Sequence, residues 1–223
     1  MCGRFVNDRN RAELADAFDA MVHDDAYWDW DGRYNIPPTT VIPTIALNSE
    51  GERSLVPMRW GLHPHWRKET PQGKPLFNAR VETAHEKPSF RTPWRRRRAL
   101  IPMTGWYEWT KEQGGRQPWY IKSEDKSAQA FAGLWDQWRV DEGITLLSCT
   151  ILTTDALGPV SRLHHRMPVR LPEGLWTDWL NPELKASDLI EGQRDGEDLI
   201  FWEVDRAVNS NRSQGPALIH PSV

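Results

Sequence analysis

Residues 99–122 read ALIPMTGWYEWTKEQGGRQPWYIK, and this stretch indicates the fold class. Apolar and aromatic residues dominate 99–102, 104–110 and 117–122, and Gly114-Gly115 is a turn signal between the last two runs. Runs of roughly 4–8 such residues bounded by glycine or proline are typical of β-strands. The stretch therefore predicts three consecutive strands.

Further strand and helix signals lie on both sides. Helical spacing of apolar residues predicts a helix over 8–22 with Asn7 as its N-cap. Residues 23–40 and 61–77 are predicted to be irregular, and a loop as long as the latter is often functional. The remaining elements are strands at 41–47, 53–60, 129–135, 144–153, 166–171 and 199–204, and helices over 172–180 and 182–191. The pattern predicts one β-rich α+β domain over residues 1–223.

The composition is that of a globular protein. Of 223 residues, 39% are hydrophobic and 26% charged, and no apolar run approaches the roughly 18 residues of a membrane span. Two cysteines, Cys2 and Cys149, cannot build a disulfide framework, so a cytoplasmic protein is expected. The net charge of −3 argues against nucleic-acid binding by overall field but leaves a local basic groove open. The 13 tryptophans either fill a core or offer stacking surfaces.

Cys2 carries the first chemical hypothesis. If Met1 is removed, the chain begins with an α-amine and a thiol on adjacent carbons. The amine of such an aminothiol can attack an aldehyde to give an imine, and the thiol can close on the same carbon to give a thiazolidine. The second step is intramolecular and gains a large effective concentration. The alternative is an ordinary cysteine near the start of the chain.

Two further stretches carry candidate polar groups. In LFNARVET, Asn78 and Arg80 share a face of extended chain, and an arginine there can pair with a carboxylate or a phosphate. The alternative is that Arg80 and Glu82 form a surface pair. In Gly105-Trp106-Tyr107-Glu108-Trp109, alternation favours a partly buried Glu108 on the same face as Trp106. A carboxylate in such apolar surroundings has a raised pKa, which suits general acid catalysis. The alternative is that Glu108 points outward.

Two histidine pairs are candidate proton carriers, because histidine titrates near pH 7. One member of His164-His165 is a functional candidate, whereas His63 and His65 are predicted to lie on the surface. Neither pair has further side chains at ligand spacing, so no metal site is expected.

The run Arg95-Arg96-Arg97-Arg98 follows Trp94 and precedes an apolar strand. Such a run is either a solvated face or, beside tryptophans, part of a nucleic-acid groove. A groove of this kind attracts the phosphate backbone without reading sequence.

Taken in order, six motifs resemble those of the SOS-response-associated peptidase (SRAP) family, whose members crosslink themselves to abasic sites in single-stranded DNA. Each motif alone is weak, but the ordered set is specific and runs from residue 1 to residue 219. The motifs are Met1-Cys2-Gly3-Arg4-Phe5, Tyr34-Asn35-Ile36-Pro37-Pro38, Arg59-Trp60-Gly61-Leu62, Asn78-Ala79-Arg80-Val81-Glu82-Thr83, Gly105-Trp106-Tyr107-Glu108-Trp109 and His164-His165-Arg166-Met167-Pro168. The resemblance implies a barrel-like core of mixed sheets with peripheral helices.

The resemblance also implies catalytic roles. Cys2, after loss of Met1, is the nucleophile that forms a thiazolidine with the ring-opened abasic sugar. Asn78 orients the cysteine and the sugar, and Glu108 is the acid that assists ring opening and proton transfer around the imine. His164 assists Schiff-base chemistry and crosslink reversal, and His165 falls outside catalysis because the family pattern is His, a variable residue, then Arg.

The DNA contacts implied by the resemblance lie around these residues. Arg4 and Arg80 are similar to phosphate-binding arginines, Thr153 lines the pocket, Trp66 packs near unstacked bases, and Pro37 is a further DNA contact. Two departures stand out. Ala99 replaces a frequent cysteine in a strand interior, and His85-Glu86-Lys87-Pro88 lacks an arginine that relatives place there.

By this resemblance the protein is a sensor of abasic sites that shields the lesion during the DNA damage response. The expected partner is single-stranded DNA, bound by a cytoplasmic monomer that associates with the nucleoid on damage and needs no cofactor and no metal. A lyase-type activity and autocatalytic removal of Met1 are also implied. The alternatives are an N-terminal-cysteine peptidase or amidohydrolase, and a non-catalytic single-stranded DNA-binding module in which Cys2 is incidental.

Overall fold

The computed structural model describes residues 2–22, 28–68, 73–125, 127–141, 143–190, 196 and 198–222. The strands are β1 (Phe5–Asn7), β2 (Met21–Val22), β3 (Arg33–Ile36), β4 (Val41–Leu47), β5 (Arg53–Trp60), β6 (Asn78–Arg80), β7 (Arg98–Met103), β8 (Gly105–Glu112), β9 (Gly115–Ser123), β10 (Gln129–Asp141), β11 (Ile144–Asp155), β12 (Arg166–Pro168), β13 (Arg170–Leu171) and β14 (Leu199–Glu203). The helices are α1 (Arg11–Ala17), α2 (Val81–Ala84), α3 (Arg91–Arg96), α4 (Trp176–Leu180) and α5 (Ala186–Ile190), with 3₁₀ turns at Gly158–Arg162, Glu173–Leu175, Arg206–Asn209 and Pro216–Ile219.

Five strands close into a ring at the centre of the fold. β11, β10, β7, β4 and β5 pair antiparallel in that order, and β5 returns to β11 in a parallel pairing at Ser148↔Arg59 and Cys149↔Trp60. A sheet that closes on itself leaves no exposed edge for another chain to pair with. The prediction of an α+β fold with mixed sheets, a barrel-like core and peripheral helices is confirmed.

A second sheet, in the order β14-β9-β8-β1-β3, brings the start of the chain against the barrel. Phe5 of β1 packs edge-on against Trp60 at 5.2 Å and against Phe131 at 5.9 Å, measured between ring centroids. Trp106 of β8 packs against Phe131 in the same way at 6.0 Å. These contacts place residue 2 next to both sheets.

The predicted helix over 8–22 is shorter than its apolar spacing suggests. It begins after Asn10, not Asn7, because the Asn10 side chain accepts a hydrogen bond from the Glu13 amide at 3.0 Å and the Asn10 backbone amide donates one to the Glu13 carboxylate at 2.8 Å. It ends at Ala17, and Asp19 follows with φ 46°. A left-handed residue cannot continue an α-helix, so Met21–Val22 is free to pair with β5.

Other departures follow from long-range pairing. Within 23–40, predicted as irregular, Arg33–Ile36 is a strand because it pairs with β1. The predicted strand 166–171 divides into β12 on β11 and β13 on β10. The predicted helix over 172–180 starts as a 3₁₀ turn, and the predicted helix over 182–191 is restricted to Ala186–Ile190. Residue 191 of that helix and residues 69–72 of the predicted loop 61–77 lie outside the described residues.

Candidate active site

Cys2 lies directly before β1 and is fully buried. Its thiol contacts the Arg4 carbonyl oxygen at 3.8 Å. The Asn78 side-chain amide donates a hydrogen bond to the Cys2 carbonyl oxygen at 2.8 Å. Asn78 opens β6, which pairs parallel with β11 at Ile151, so the barrel itself fixes the position of this amide. Met1, whose loss the aminothiol hypothesis requires, lies outside the described residues.

Glu108 reaches the same place from β8. Phe5 pairs with Trp106, and the Tyr107 amide donates to the Arg4 carbonyl at 3.0 Å, so β8 runs alongside the start of the chain. The Glu108 side chain is 2% exposed, which excludes the outward orientation. Burial raises the pKa of Glu108 to about 7. Burial, followed by the negative charge of Glu108, also raises the pKa of the Cys2 thiol well above its usual value.

His164 follows the 3₁₀ turn Gly158–Arg162 and precedes β12. Its Nδ1 atom accepts a hydrogen bond from the Arg166 amide at 2.9 Å. The same Nδ1 atom lies 3.1 Å from the Arg166 carbonyl oxygen, so both polar groups of the Arg166 backbone orient the ring. The His165 ring stacks on His164 at 4.3 Å with a 27° interplanar angle. Burial, aided by the charges around it, lowers the pKa of His164, which favours the neutral imidazole at pH 7.

Arg166 ties this histidine segment to α2. Its guanidinium forms two parallel hydrogen bonds with the Glu82 carboxylate at 2.8 and 2.9 Å, and a third with Asp155 at 2.5 Å. Glu82 therefore pairs with Arg166, and the alternative of an Arg80–Glu82 surface pair is wrong. Arg80 is exposed and makes no side-chain hydrogen bond or ion pair within the described part of the chain.

The other predicted DNA contacts differ in exposure. Trp66 is 50% exposed, and Pro37, directly after β3, is half-buried. Thr153 is fully buried, and its hydroxyl oxygen lies 3.5 Å from both the Ala79 carbonyl and an Arg166 nitrogen. Thr153 also accepts a hydrogen bond from the Arg166 guanidinium through its carbonyl oxygen at 2.7 Å, so it helps to hold Arg166.

Arg4 is half-buried and held by the C-terminal segment. Its guanidinium donates to the Asn35 side-chain oxygen at 2.7 Å and to the Val208 carbonyl at 2.9 Å, and it also contacts Asn211. It lies over the Trp109 ring at 5.9 Å. A cavity of about 530 Å³ opens beside it, lined by Gly3, Arg4, Trp109, Arg116 and Asn209.

The arginine run 95–98 is divided by the fold. Arg95 and Arg96 are exposed at the end of α3, whereas Arg97 pairs with the buried Asp136 and Arg98 is 3% exposed over the Trp179 ring. Only the first two remain available to a nucleic-acid backbone. The tryptophans divide in the same way, and the buried ones are Trp30, Trp60, Trp106, Trp138, Trp176 and Trp179.

Three positioning residues were missed from sequence: Arg166, Asn35 and Asp136. Arg166 closes the His-variable-Arg pattern, Asn35 lies in the YNIPP motif, and Asp136 is an isolated acid in an apolar strand, so each had a local signal. The prediction that His63 lies on the surface is wrong. His63 is 2% exposed, and its ring packs against the Trp138 ring with 4.5 Å between the ring centroids.

Neither a metal site nor a membrane span is found in the described residues. No group of three or more histidine, cysteine or acidic side chains is arranged there to hold a metal ion. No helix of that part of the chain has the length and apolar character to cross a bilayer.

Curated proteins of similar sequence share one description. The Bacillus subtilis protein YoqW is 35% identical, with 98% of this chain and 99% of the relative covered. Escherichia coli YedK is 31% identical, with 99% of this chain and 100% of the relative covered. Gallus gallus HMCES is 34% identical, with 99% of this chain and 78% of the relative covered. All three are named abasic site processing proteins.

Solved structures share the fold. A crystal structure of a Bacteroides thetaiotaomicron protein matches with a TM-score of 0.82 and 24% identity, covering all of both chains. One from Bordetella bronchiseptica matches with a TM-score of 0.75 and 27% identity, covering 92% of this chain and 100% of that one. The family model described as SOS response associated peptidase (SRAP) matches residues 1–211. The chain therefore belongs to the SRAP family.

Proposed function

We propose that this protein processes abasic sites in single-stranded DNA by forming a covalent thiazolidine crosslink through Cys2, after Met1 is removed, and so shields the lesion. The names of its relatives support abasic-site processing. The observation that carries the chemistry is the convergence of Cys2, Asn78 and Glu108 at one buried point between the two sheets.

The reaction joins the aminothiol to the aldehyde of the ring-opened sugar. The Cys2 amine attacks the aldehyde carbon, the carbonyl oxygen takes up protons and leaves as water, and an imine remains. The thiol then adds to the imine carbon, and its proton passes to the imine nitrogen. One water is lost overall, and no oxidant or cofactor enters the balance.

Glu108 is suited to move these protons. With a pKa of about 7, its carboxyl group is present in both forms near neutral pH and can act as acid or base. Burial keeps the Cys2 thiol protonated until the positive charge of a protonated imine forms beside it and favours the thiolate. The neutral imidazole of His164 can exchange a proton with the sugar oxygen as the sugar ring opens.

Asn78 holds the nucleophile in place. Its amide nitrogen binds the Cys2 carbonyl, which fixes the residue whose amine must attack. Its oxygen atom is buried and accepts no hydrogen bond from the described residues. A sugar hydroxyl or the attacking amine can donate to it, which would orient the reactants for attack.

In this proposal the protein binds the DNA through its phosphate backbone and through an aromatic side chain that stacks on a base. Exposed Arg80 follows Asn78 on β6 and can pair with a phosphate, and half-exposed Trp66 can stack on a neighbouring base. An abasic sugar has no base edge to read, so we expect little sequence preference. A single strand also costs little to unstack.

Peptide-bond cleavage is the second candidate function, because the family is described as a peptidase. The same arrangement of a cysteine beside a buried acid can act on the Met1–Cys2 bond of the protein itself. Turnover of peptides other than the N-terminus of the protein would favour a general peptidase over the crosslinking function.

Intact-protein mass spectrometry with a single-stranded oligonucleotide carrying one abasic site tests the proposal. We expect a protein lacking Met1 and, after incubation, an adduct of protein plus oligonucleotide minus one water. Cys2→Ala should form no adduct, and Cys149→Ala, which removes the other cysteine, should still form it. A protein that lacks Met1, remains folded and forms no adduct would refute the crosslinking function.

A further inference from the structure

We propose that the cavity beside Arg4 is a phosphate subsite, in which Arg116 binds the phosphodiester adjacent to the abasic nucleotide. This inference rests on the proposed function, because it concerns the same DNA strand. It assigns a role to Arg116, a residue outside the motifs that identified the reacting groups.

The position of the cavity links it to the reacting groups. Its lining includes Gly3, which follows Cys2, and Trp109, which follows Glu108. Glu108 is buried, and neighbouring residues of a strand face opposite sides, so Trp109 lies on the outer face of β8. In the proposed binding mode, a strand whose abasic sugar reaches Cys2 runs past this opening. A volume of about 530 Å³ is ample for a sugar-phosphate unit.

The charge of the cavity favours an anion. Its lining carries two guanidinium groups and no carboxylate. The Trp109 indole nitrogen donates to the Asn209 oxygen at 2.7 Å, and Arg4 is engaged by the C-terminal segment. The Arg116 side chain makes no hydrogen bond or ion pair with the described residues, so its donors remain available. Guanidinium donors match phosphate oxygens in geometry and charge.

The strand register gives an independent reason. Arg116 pairs directly with Lys111 across the β8–β9 hairpin, and both are exposed. Like charges opposite each other on neighbouring strands destabilise a hairpin. The adjacent carboxylate of Glu112 is directed to Arg206 at 3.6 Å. An anion bound beside Arg116 would relieve the repulsion that the hairpin otherwise carries.

The backbone of Arg116 is held in place before any ligand arrives. The Asn209 amide donates to its carbonyl oxygen at 3.2 Å. Arg206, in the same 3₁₀ turn, donates to the Gln117 side chain and to the Gly114 carbonyl, both at 3.1 Å. A guanidinium on a fixed backbone loses less entropy when it binds a phosphate.

Salt-dependent binding of Arg116→Gln tests the inference. The probe is a single-stranded oligonucleotide with a tetrahydrofuran abasic analogue, which lacks an aldehyde and cannot crosslink. One lost phosphate contact should weaken binding roughly 3- to 10-fold at low salt and lower the slope of log affinity against log salt by about 0.7. The control variant Lys185→Gln removes the same charge from an exposed position between α4 and α5, and it should change neither the affinity nor the salt slope. Arg116→Lys should keep most of the wild-type slope.

Crosslinking with a true abasic oligonucleotide separates the two hypotheses. Arg116→Gln should raise the half-saturating DNA concentration and leave the maximal crosslinking rate unchanged. An unchanged salt slope in Arg116→Gln would overturn the phosphate subsite even if wild type crosslinks normally. If wild type forms no adduct but Arg116→Gln still loses slope, the subsite stands and the crosslinking function fails.

Discussion

Glu108 shows how burial of one residue couples chemistry to stability. Its pKa rises from an ordinary value of 4.5 to about 7 because the carboxyl group is almost fully buried. Below pH 4.5 it is neutral in both folded and unfolded protein. Between pH 4.5 and about 7 the unfolded chain releases the proton while the folded protein keeps it, so stability falls as pH rises.

Glu108→Gln should remove this pH dependence, because glutamine is neutral at every pH. The stability of the variant relative to wild type should increase by roughly 2–3 kcal/mol between about pH 4.5 and pH 8. Urea unfolding at several pH values measures the difference. Glu183→Gln, at an exposed position, should show no such trend. A constant difference between Glu108→Gln and wild type across this range would contradict the assigned pKa.

At the scale of elements, the β10–β11 hairpin holds the loop that carries Trp66. Buried Asp136 accepts hydrogen bonds from the His65 amide at 3.0 Å and from the His65 ring at 2.8 Å, and it pairs with Arg97. The His63 amide donates to the Ser148 hydroxyl at 2.8 Å. Trp66 is therefore exposed on a fixed backbone and needs little ordering to stack on a base.

Asp136→Asn should loosen this loop, since it removes the charge that Arg97 and the His65 ring share. We expect a loss of about 1–3 kcal/mol in the free energy of unfolding, because Arg97 stays partly hydrated. Amide hydrogen exchange should rise at His65 beyond the global change. Asp178→Asn, exposed on α4, provides the control. Unaltered protection at His65 would show that the loop is held by other contacts.

The same elements show how far local sequence predicts this fold. The strands between residues 98 and 155 were predicted because apolar runs and glycine turns are local signals. The candidate residues Cys2, Asn78, Glu108 and His164 were named from their motifs. The partner of Glu82 was not predictable, because Arg166 lies 84 positions away and meets it only after β12 pairs with β11.

At the scale of the whole molecule, the C-terminal residues 208–213 are hydrogen-bonded to β3 and to Arg4, the residue before β1. The amide nitrogen of fully buried Asn35 donates to three carbonyl oxygens of this segment, those of Ser210 at 2.9 Å and of Val208 and Ser213 at 3.2 Å. Its oxygen accepts from Arg4. The Asn35 side chain thus links β3 to Arg4 and to residues 208–213, which we call the tail, and so stabilises the chain segment that follows Cys2.

Asn35→Ala should release the tail, because it removes three hydrogen bonds to the carbonyl oxygens of Val208, Ser210 and Ser213 and also the oxygen that accepts from Arg4. We expect a loss of roughly 2–4 kcal/mol in the free energy of unfolding. Limited trypsin digestion followed by mass spectrometry should show faster cleavage after Arg212. Gln113→Ala, at an exposed amide in the β8–β9 turn, should leave both unchanged. Equal cleavage rates in Asn35→Ala and wild type would show that Asn35 does not anchor the tail.

The amino-acid sequence by itself determined the strand content, the family and the candidate reacting residues, because these depend on periodicity and short motifs. The tertiary structure alone decided the closure of the barrel, where Ser148–Cys149 meets Arg59–Trp60 across a long stretch of chain. It also decided which arginines are buried, paired or exposed, and it created the cavity at Arg116. The burial and the ion-pair partners of a side chain depend on its spatial neighbours, and these neighbours come together only when strands that are distant in sequence pair.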